Sequence, residues 1–364
     1  MYYLLLPLAW VYDGVTSVRN FMYDHGILSS ESYDLPVICV GNITVGGTGK
    51  TPHTEYLIRL LQENGYKVGV LSRGYKRKTK GYVLATSKST AADIGDEPYQ
   101  MKKKFPDVTI AVDADRREGI YNLITNAETT DIDVIILDDA YQHRRVKAGL
   151  NILLVDSNRP IDKDYLLPAG RLRENAGGSK RADIVMLTKL KEDVSEGERE
   201  RERYSRRLRI QENQHLYFTG MKYGNLYNPK AEIPLGELDK YSILVVTGIA
   251  NPKPMEDELS KYASFDAIHY GDHHDFSSQD YKQIESAYNA LPDDKPRIII
   301  TTEKDMARLH QEQMPMWGSV YALPIEVKVL NDEEELFNNQ IISYLNHVRK
   351  DSRNSCIPQR ENDK

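Results

Sequence analysis

Short apolar runs alternate with helical patterns along the first half of the chain. Runs typical of buried strands lie at 36–40, 67–71, 108–112, 133–137, 151–155 and 183–187. Segments with apolar residues at helical spacing lie between several of these runs, among them 52–63 and 116–127. This alternation predicts an α/β domain in which a parallel sheet carries helices on both faces.

After about residue 215 the pattern restarts. The segments "SILVVTGIANP" (242–252) and "RIIITTEKD" (297–305) each predict a strand followed by a turn. They indicate a second, smaller α/β unit, closed by an acidic helix over 332–348. A charged run over 192–214 has no apolar stripe in its first half and predicts a solvated helix. The expected segments are an N-terminal helix (1–28), a first domain (29–215), a smaller domain (216–348) and a polar tail (349–364).

The N-terminal segment carries no charged side chain before Asp13. Apolar residues recur there at helical spacing, which predicts an amphipathic helix; they are Leu4, Leu8, Val11, Val15, Val18 and Met22. The uncharged stretch is shorter than the roughly 20 residues that span a bilayer, and it lacks the basic start of a signal peptide. Two interpretations stay open: the helix packs on its own domain, or it lies in a membrane interface.

The composition is that of a soluble globular protein, with 40% hydrophobic and 28% charged residues among 364. This length allows two domains, each with its own core. The net charge of −6 argues against a broad nucleic-acid-binding face. Two cysteines provide neither a disulfide framework nor a zinc motif. The sequence indicates no protein partner.

A glycine-rich turn lies between a buried strand and an amphipathic helix in "CVGNITVGGTGKTPHTEYLIRLL" (39–61). This order places free backbone N–H groups at a helix N-terminus, where they bind an anion. Lys50 and Thr51 after Gly49 indicate that the anion is a nucleotide phosphate, although the strict motif has glycine at position 44. The residues expected to bind ATP are Thr44, Val45, Gly46, Gly47, Thr48, Gly49, Lys50 and Thr51.

The second half of a nucleotide site follows in "DIDVIILDDAYQH" (131–143), where an apolar strand ends in Asp138 and Asp139. A strand that delivers an aspartate beside a phosphate loop is typical of an ATP–Mg²⁺ site. We therefore expect a P-loop NTPase-like fold in which Thr51, Asp138 and Asp139 hold Mg²⁺. The sequence leaves open which aspartate coordinates the metal directly.

Four further segments place polar residues just past predicted strands, where α/β proteins carry their sites. They are "LSRGYKRK" (71–78), "IGDEPYQ" (94–100), "LLPAGRLRENAGG" (166–178) and "GDHHDF" (271–276). A solvated basic loop and an acidic turn are plainer interpretations of the first two. Adjacent histidines on an extended stretch point to opposite sides, so His273 and His274 are poorly placed to share one metal. Flanking carboxylates favour a role for this segment in acid–base chemistry.

Nine motifs in order resemble those of the tetraacyldisaccharide 4'-kinase family. They are "VGNITVGGTGKTP", "LSRGY", "GDEP", "LDDAYQHRRV", "LNILLVD", "LLPAGRLRE", "TGIANP", "DHHDF" and "TTEKD". The resemblance implies an ATP- and Mg²⁺-dependent kinase that phosphorylates the 4'-hydroxyl of a tetraacyldisaccharide 1-phosphate, a lipid A precursor. The substrate-binding residues that we expect on this basis are Arg73, Glu97, Gln142, His143, Arg173 and Glu174.

The same resemblance implies a catalytic dyad in which Asp96 is the base and His273 supports it. An acylated acceptor favours the membrane-interface interpretation of residues 1–28. The resemblance also implies that the enzyme works on the cytoplasmic face of the inner membrane of a Gram-negative bacterium, as a peripheral or monotopic protein.

Other protein classes fit less well. A membrane-cycling P-loop ATPase switch, the main alternative, has a signature lysine just before the two glycines, where this chain has Val45. A GTP-binding regulator needs a guanine-reading aspartate, and "LTKLKED" (187–193) offers Thr188 and Lys189 without one at the matching place. A purely structural membrane adaptor leaves Lys50 unexplained. The sequence therefore favours a lipid kinase.

Overall fold

The computed structural model describes residues 2–129, 131–190, 198–272 and 274–355. The strands are β1 (Val37–Gly41), β2 (Val68–Ser72), β3 (Val83–Leu84), β4 (Thr109–Val112), β5 (Val134–Asp138), β6 (Leu150–Asp156), β7 (Ile184–Thr188), β8 (His215–Tyr223), β9 (Leu226–Tyr227), β10 (Glu232–Ile233), β11 (Ser242–Thr247), β12 (Asp266–His269), β13 (Arg297–Thr302), β14 (Val320–Leu323) and β15 (Ile325–Val329). The strand runs expected from the sequence overlap these strands and are confirmed.

Helices connect most of the strands. They are α1 (Leu6–Asp24), α2 (Lys50–Glu63), α3 (Ala91–Ile94), α4 (Asp96–Lys104), α5 (Arg116–Thr125), α6 (Glu198–Leu208), α7 (Lys253–Leu259), α8 (Ser278–Ala290), α9 (Glu303–Met306) and α10 (Glu334–Ser355). Local sequence explains several of the starts. Asp115 accepts a hydrogen bond from the Arg117 N–H before α5, and Ser277 and Asp280 form a reciprocal capping box before α8.

The large sheet has nine strands in the order β15-β8-β7-β6-β1-β5-β2-β4-β3. Its central strands are parallel, and β1 lies between β5 and β6. These strands are buried on both faces, which explains their continuous apolar sequence. One core cluster includes Leu57 and Ile58 of α2, and the other, on the opposite face, includes Ile120 of α5. The predicted α/β architecture with a large parallel sheet is confirmed.

The smaller sheet has six strands in the order β10-β9-β14-β13-β11-β12. Strands β11, β12, β13 and β14 pair in parallel, and the short β9 and β10 extend the edge in antiparallel orientation. Ile243, Val245 and Ile300 belong to the core on one face, and Leu244, Val246 and Ile299 belong to the core on the other.

The chain passes between the two sheets through β8 and β15, which pair with each other in antiparallel orientation. Both strands belong to the large sheet, because β8 also pairs with β7. Helix α10 also belongs to this unit, since Phe337, Ile341 and Leu345 lie in a core cluster of the large sheet. The sequence pattern assigns residues 216–348 to the smaller unit. The sheet pairing assigns to that unit only the six strands from β9 to β14, both included. The polar tail expected over residues 349–364 begins within α10, which extends to Ser355. Residues 356–364 lie outside the described residues.

Helix α1 exposes an apolar stripe and uses its other side to contact the large domain. The exposed side chains of the helix are Leu8, Trp10, Val11, Val15, Val18 and Phe21, and Leu4, just before it, is exposed as well. On the other side, the Tyr12 hydroxyl donates to the Arg173 carbonyl at 2.9 Å, and Arg19 donates to the Gln142 carbonyl at 2.7 Å. Within the described parts of the chain, no helix combines the length and the apolar character needed to cross a bilayer.

Candidate active site

The turn between β1 and α2 has the geometry of a phosphate loop. Gly49, immediately before α2, has a φ of +89°, and a Cβ there would lie 2.7 Å from Cε of Met221. The positive φ favours glycine, because a residue with a Cβ is strained there, whereas the flexible end of Met221 could move to admit a Cβ. Gly46 also has a positive φ, of +119°. The loop therefore delivers the chain to the N-terminus of α2, where backbone N–H groups without intrahelical acceptors bind anions.

Lys50, Asp139 and Arg173 form a charged cluster beside this loop. The Lys50 ammonium lies 3.7 Å from Oδ1 of Asp139, and the Arg173 guanidinium donates to the same oxygen at 3.0 Å. Asp139 has a φ of +48°, uncommon for a residue with a Cβ, just past the end of β5. Burial opposes ionisation of Asp139, but Lys50 and Arg173 outweigh it and hold the pKa of the carboxyl below its usual value.

Asp138, the last residue of β5, lies behind this cluster. It accepts hydrogen bonds from the Ser72 hydroxyl at 3.1 Å and the Thr54 hydroxyl at 3.3 Å. Burial, reinforced by the charge of Asp139, raises the pKa of Asp138 to about 6. Burial opposes ionisation of both carboxyl groups, but Asp139 contacts two cations, so the two pKa values shift in opposite directions.

Asp96 begins α4 and forms an ion pair with Arg308 of the smaller unit. Arg308 also lies 3.7 Å from the buried carboxylate of Asp305. The expected partner of Asp96, His273, lies outside the described residues. The neighbouring His274 is bound elsewhere: its ring contacts Asp280 at 3.0 Å and stacks on Tyr270.

The residues expected to bind the acceptor fall into two groups. Gln142, Arg173 and Glu174 contact one another: Gln142 donates to Oε1 of Glu174 at 3.2 Å, and Arg173 donates to Gln142 at 3.3 Å. Glu174 is buried and also accepts from Asn20 of α1 and from Arg181, both at 2.8 Å. It therefore anchors α1 to the site.

The other three expected residues lie on separate segments, Arg73 after β2, Glu97 at the start of α4 and His143 after β5. Arg73 is exposed directly after β2. His143 accepts a long hydrogen bond from the Arg116 N–H at 3.4 Å, and burial lowers the pKa of its ring. Glu97, in the first turn of α4, acts on Asp138 through its charge and helps to raise the pKa of that carboxyl. The expected residues Thr44, Val45, Thr48 and Thr51 all lie along the phosphate loop and at the start of α2.

Two charged residues at the site, Arg116 and Arg308, are not among those that the sequence predicted. Arg116 is fully buried and donates to the Asp113 carbonyl at 2.6 Å and the Asp138 carbonyl at 3.4 Å. Arg308 contacts Asp96 from 212 positions away. The contacts of Arg116 with Asp138 and of Arg308 with Asp96 do not follow from local spacing, because each depends on which elements become neighbours in the fold. An arginine directly after a capping aspartate was the only local hint for Arg116.

The donor set fits a nucleotide with Mg²⁺. Among the described residues, no three His, Cys, Asp or Glu side chains are grouped as a metal site. Mg²⁺ on a nucleotide usually takes only one or two protein carboxylates, with the remaining positions filled by phosphate oxygens and water. Asp138, Asp139 and the hydroxyl of Thr51 match that requirement. Gly49, with its positive φ, lets the backbone adopt the turn that phosphate binding needs.

Comparison with known proteins places these features in a family. A family model described as Tetraacyldisaccharide-1-P 4'-kinase matches residues 1–346. The tetraacyldisaccharide 4'-kinase of Bacteroides thetaiotaomicron is 48% identical over 376 residues, covering 98% of this chain and 96% of the relative. The enzyme of the same description from Phocaeicola vulgatus is 49% identical over 359 residues, covering 96% of each.

A solved structure supports the same comparison. The crystal structure of LpxK from Aquifex aeolicus in complex with ATP matches with a TM-score of 0.74 at 30% sequence identity. The match covers 94% of this chain and 99% of the Aquifex chain. The similarity therefore extends over both sheets.

Proposed function

The chain belongs to the tetraacyldisaccharide-1-phosphate 4'-kinase family, and from this premise we propose how its residues carry out the reaction. The enzyme transfers the γ-phosphate of ATP to the 4'-hydroxyl of a lipid A precursor. The observation that carries our assignment is the convergence of Lys50, Asp138 and Asp139 at the phosphate loop, where Lys50 lies 3.7 Å from Asp139. Lys50 would contact the β- and γ-phosphates, as in other P-loop enzymes.

Thr51, Asp138 and Asp139 would hold Mg²⁺, which, when bound, neutralises charge that develops on the transferred phosphoryl group. Arg173 is held against Asp139 at 3.0 Å, so it adds a fixed positive charge at the same place. The pKa of Asp139 is held below its usual value by Lys50 and Arg173 against the effect of burial, so this side chain is ionised at neutral pH.

The acceptor hydroxyl must lose a proton as its oxygen forms the new bond to the γ-phosphorus and the bond to the departing ADP oxygen breaks. We assign this proton to Asp96, with His273 supporting it, on the basis of the "GDEP" and "DHHDF" motifs. Asp96 faces the smaller unit through its ion pair with Arg308. An acceptor site formed by both units would exclude water, which competes for the phosphoryl group.

A double-mutant cycle tests the dyad. If Asp96 and His273 act as one unit, the loss of kcat in Asp96→Ala/His273→Ala should be close to the loss in the worse single variant. Losses that multiply, or a larger effect from His274→Ala, would contradict the pairing.

Helix α1 is proposed to hold the enzyme on the membrane that contains the acceptor. Its exposed side carries large apolar residues, including Leu8, Val11 and Val15, while its other side bonds to the loop that contains Arg173. Each apolar side chain that becomes buried contributes about 1.5–3 kcal/mol. We propose, from the use of ATP and of a membrane-embedded lipid, that the enzyme works on the cytoplasmic face of the inner membrane, as a peripheral or monotopic protein.

The membrane proposal is tested by sedimentation with vesicles. Val11→Asp/Val15→Asp should release most of the protein, whereas Leu336→Asp, which changes an exposed leucine on α10, should not. Equal binding of both variants would contradict an interfacial α1.

The kinase reaction is tested with γ-labelled ATP and a 1-phosphorylated tetraacyldisaccharide. Label should appear on the lipid with wild-type protein and with Lys67→Met, a change at an exposed ion pair before β2. It should be nearly absent with Lys50→Met. Release of labelled inorganic phosphate without lipid labelling would favour the membrane-cycling ATPase instead.

A further inference from the structure

Three successive carbonyls of the phosphate loop accept hydrogen bonds from side chains that lie outside the loop. The Lys189 ammonium donates to the Gly47 carbonyl. The Thr188 hydroxyl donates to the Thr48 carbonyl at 2.9 Å, and Nδ1 of His53 contacts the Gly49 carbonyl at 2.7 Å. Thr188 and Lys189 come from the end of β7, and His53 comes from the first turn of α2.

Each of these donors is fixed in its place. Lys189 has a left-handed φ of +62° and also contacts Oδ2 of the buried Asp156 at 2.7 Å. Thr188 is fully buried in the sheet. Thus both residues at the end of β7 present rigidly held donors to the loop.

The third donor, His53, is fixed as well. Because a carbonyl can only accept, the Nδ1 that contacts the Gly49 carbonyl carries a proton. The other ring nitrogen, Nε2, lies 3.1 Å from the Thr219 hydroxyl, so the ring is held at both nitrogens.

The N–H and C=O of a trans peptide point in opposite directions. Carbonyls tied to the protein behind the loop therefore turn the following N–H groups toward the side where an anion would lie. The Thr48 N–H donates back to the Gly46 carbonyl at 3.1 Å, so the groups oriented for a ligand are those of Gly49 and Lys50. The Lys50 N–H belongs to the first turn of α2, which lacks intrahelical acceptors.

We propose that Thr188, Lys189 and His53 are positioning residues that hold the phosphate loop in its binding conformation before the nucleotide arrives. None of them needs to contact the nucleotide. They act by removing the cost of ordering a glycine-rich loop on binding, which is the general benefit of preorganisation. This inference rests on the proposal that the loop binds the phosphates of ATP.

The test measures the affinity of the full-length protein for ADP and for AMP by calorimetry, without lipid or catalysis. Thr188→Val removes one donor with little change in volume and should weaken ADP binding about five- to ten-fold. The effect on AMP should be smaller, because AMP presents one phosphate instead of two. Thr301→Val is the matched control, since the Thr301 hydroxyl is buried on β13 and contacts no polar group among the described residues.

Two further variants separate positioning from general destabilisation. Thr188→Ser retains the hydroxyl and should keep the ADP affinity of the wild type. Lys189→Met should also weaken ADP binding, whereas Lys67→Met should not. The partly exposed Lys189 keeps the test available if Thr188→Val fails to fold.

The proposal is overturned if Lys189→Met and Thr188→Val bind ADP normally, if ADP and AMP lose affinity equally, or if serine at position 188 behaves like valine. A separate arm with Lys50→Met tests the underlying assignment. Unchanged ADP affinity in that variant would remove the phosphate site itself from this loop, whatever Thr188 does.

Discussion

The Asp138 carboxylate is expected to weaken the ligand-free fold. Burial raises its pKa from 3.8 to about 6, and the charge of Asp139 adds to the shift, while Lys50 and the Ser72 hydroxyl oppose it. The folded protein therefore binds this proton more tightly than the unfolded chain, so ionisation costs stability. The cost is absent below pH 3.8, grows as the pH rises toward about 6, and is complete above that pH.

The magnitude follows from the two pKa values. At about 1.4 kcal/mol per pH unit, a rise from 3.8 to about 6 corresponds to about 3 kcal/mol above pH 6. About half of this cost is already present at pH 5, so Asp138→Asn should gain about 1.5 kcal/mol over the wild type between pH 5 and pH 8. Asparagine keeps both contacts, because the hydroxyls of Ser72 and Thr54 can donate or accept.

Urea unfolding at several pH values in that range, with EDTA and without nucleotide, measures this difference. Asp139→Asn is the matched control, because we expect it to change the free energy of unfolding in the opposite direction. Burial of Asp139 is outweighed by Lys50 and Arg173, which lower its pKa, so its neutralisation should destabilise the protein at neutral pH. A stability difference between Asp138→Asn and wild type that stays constant with pH would refute the reasoning. Asp138→Asn should also lose kinase turnover. The ionised Asp138 would thus support the reaction while it lowers the stability of the fold.

Three other changes have expected outcomes. Lys50→Met should lower kcat about a hundred-fold or more with unchanged circular dichroism, because transition-state charge loses its cation; near-normal turnover would contradict this. Lys104→Met should destabilise by about 3–5 kcal/mol in urea, since Glu55 and Glu303 lie 2.7 Å and 2.6 Å from the Lys104 ammonium and would lose it. Gly49→Ala should weaken ADP binding in calorimetry, because alanine is strained at a φ of +89°, whereas Gly318→Ala, which has no positive φ and open space around it, should not; equal effects of the two changes would contradict the strain argument.

The elements of the large sheet could be predicted because its strands are short apolar runs buried on both faces. Even so, periodicity does not name a strand's partner. The segments that became β8 and α10 therefore read as parts of the smaller unit, although the first pairs with β7 and the second packs on the large sheet. The expected domain boundary at residue 215 followed from the order of segments along the chain. The pairing of β8 with β15 shows instead that the chain returns to the large sheet after the smaller unit.

The candidate site divides in the same way. The positions of Lys50, Asp138 and Asp139 followed from local motifs, since a phosphate loop and a strand-end aspartate are contiguous patterns. Contacts such as Asp96 with Arg308 depend on tertiary pairing and had no local signal. Lys189 appeared in the sequence only as part of an incomplete guanine-reading motif, and the structure places its ammonium on the carbonyl of Gly47.

The passage between the two sheets has a consequence for biosynthesis. The chain leaves the large sheet after β8 and returns at β15, where the Gly224 N–H donates to the Pro324 carbonyl at 3.1 Å. The smaller unit is thus an insertion whose entry and exit are adjacent in space. Because β15 and α10 leave the ribosome after this insertion, Phe337 and Ile341 cover the core beside α2 only after the smaller unit has been made. A nascent chain that already contains the phosphate loop therefore still exposes the apolar surface behind it until α10 has been added.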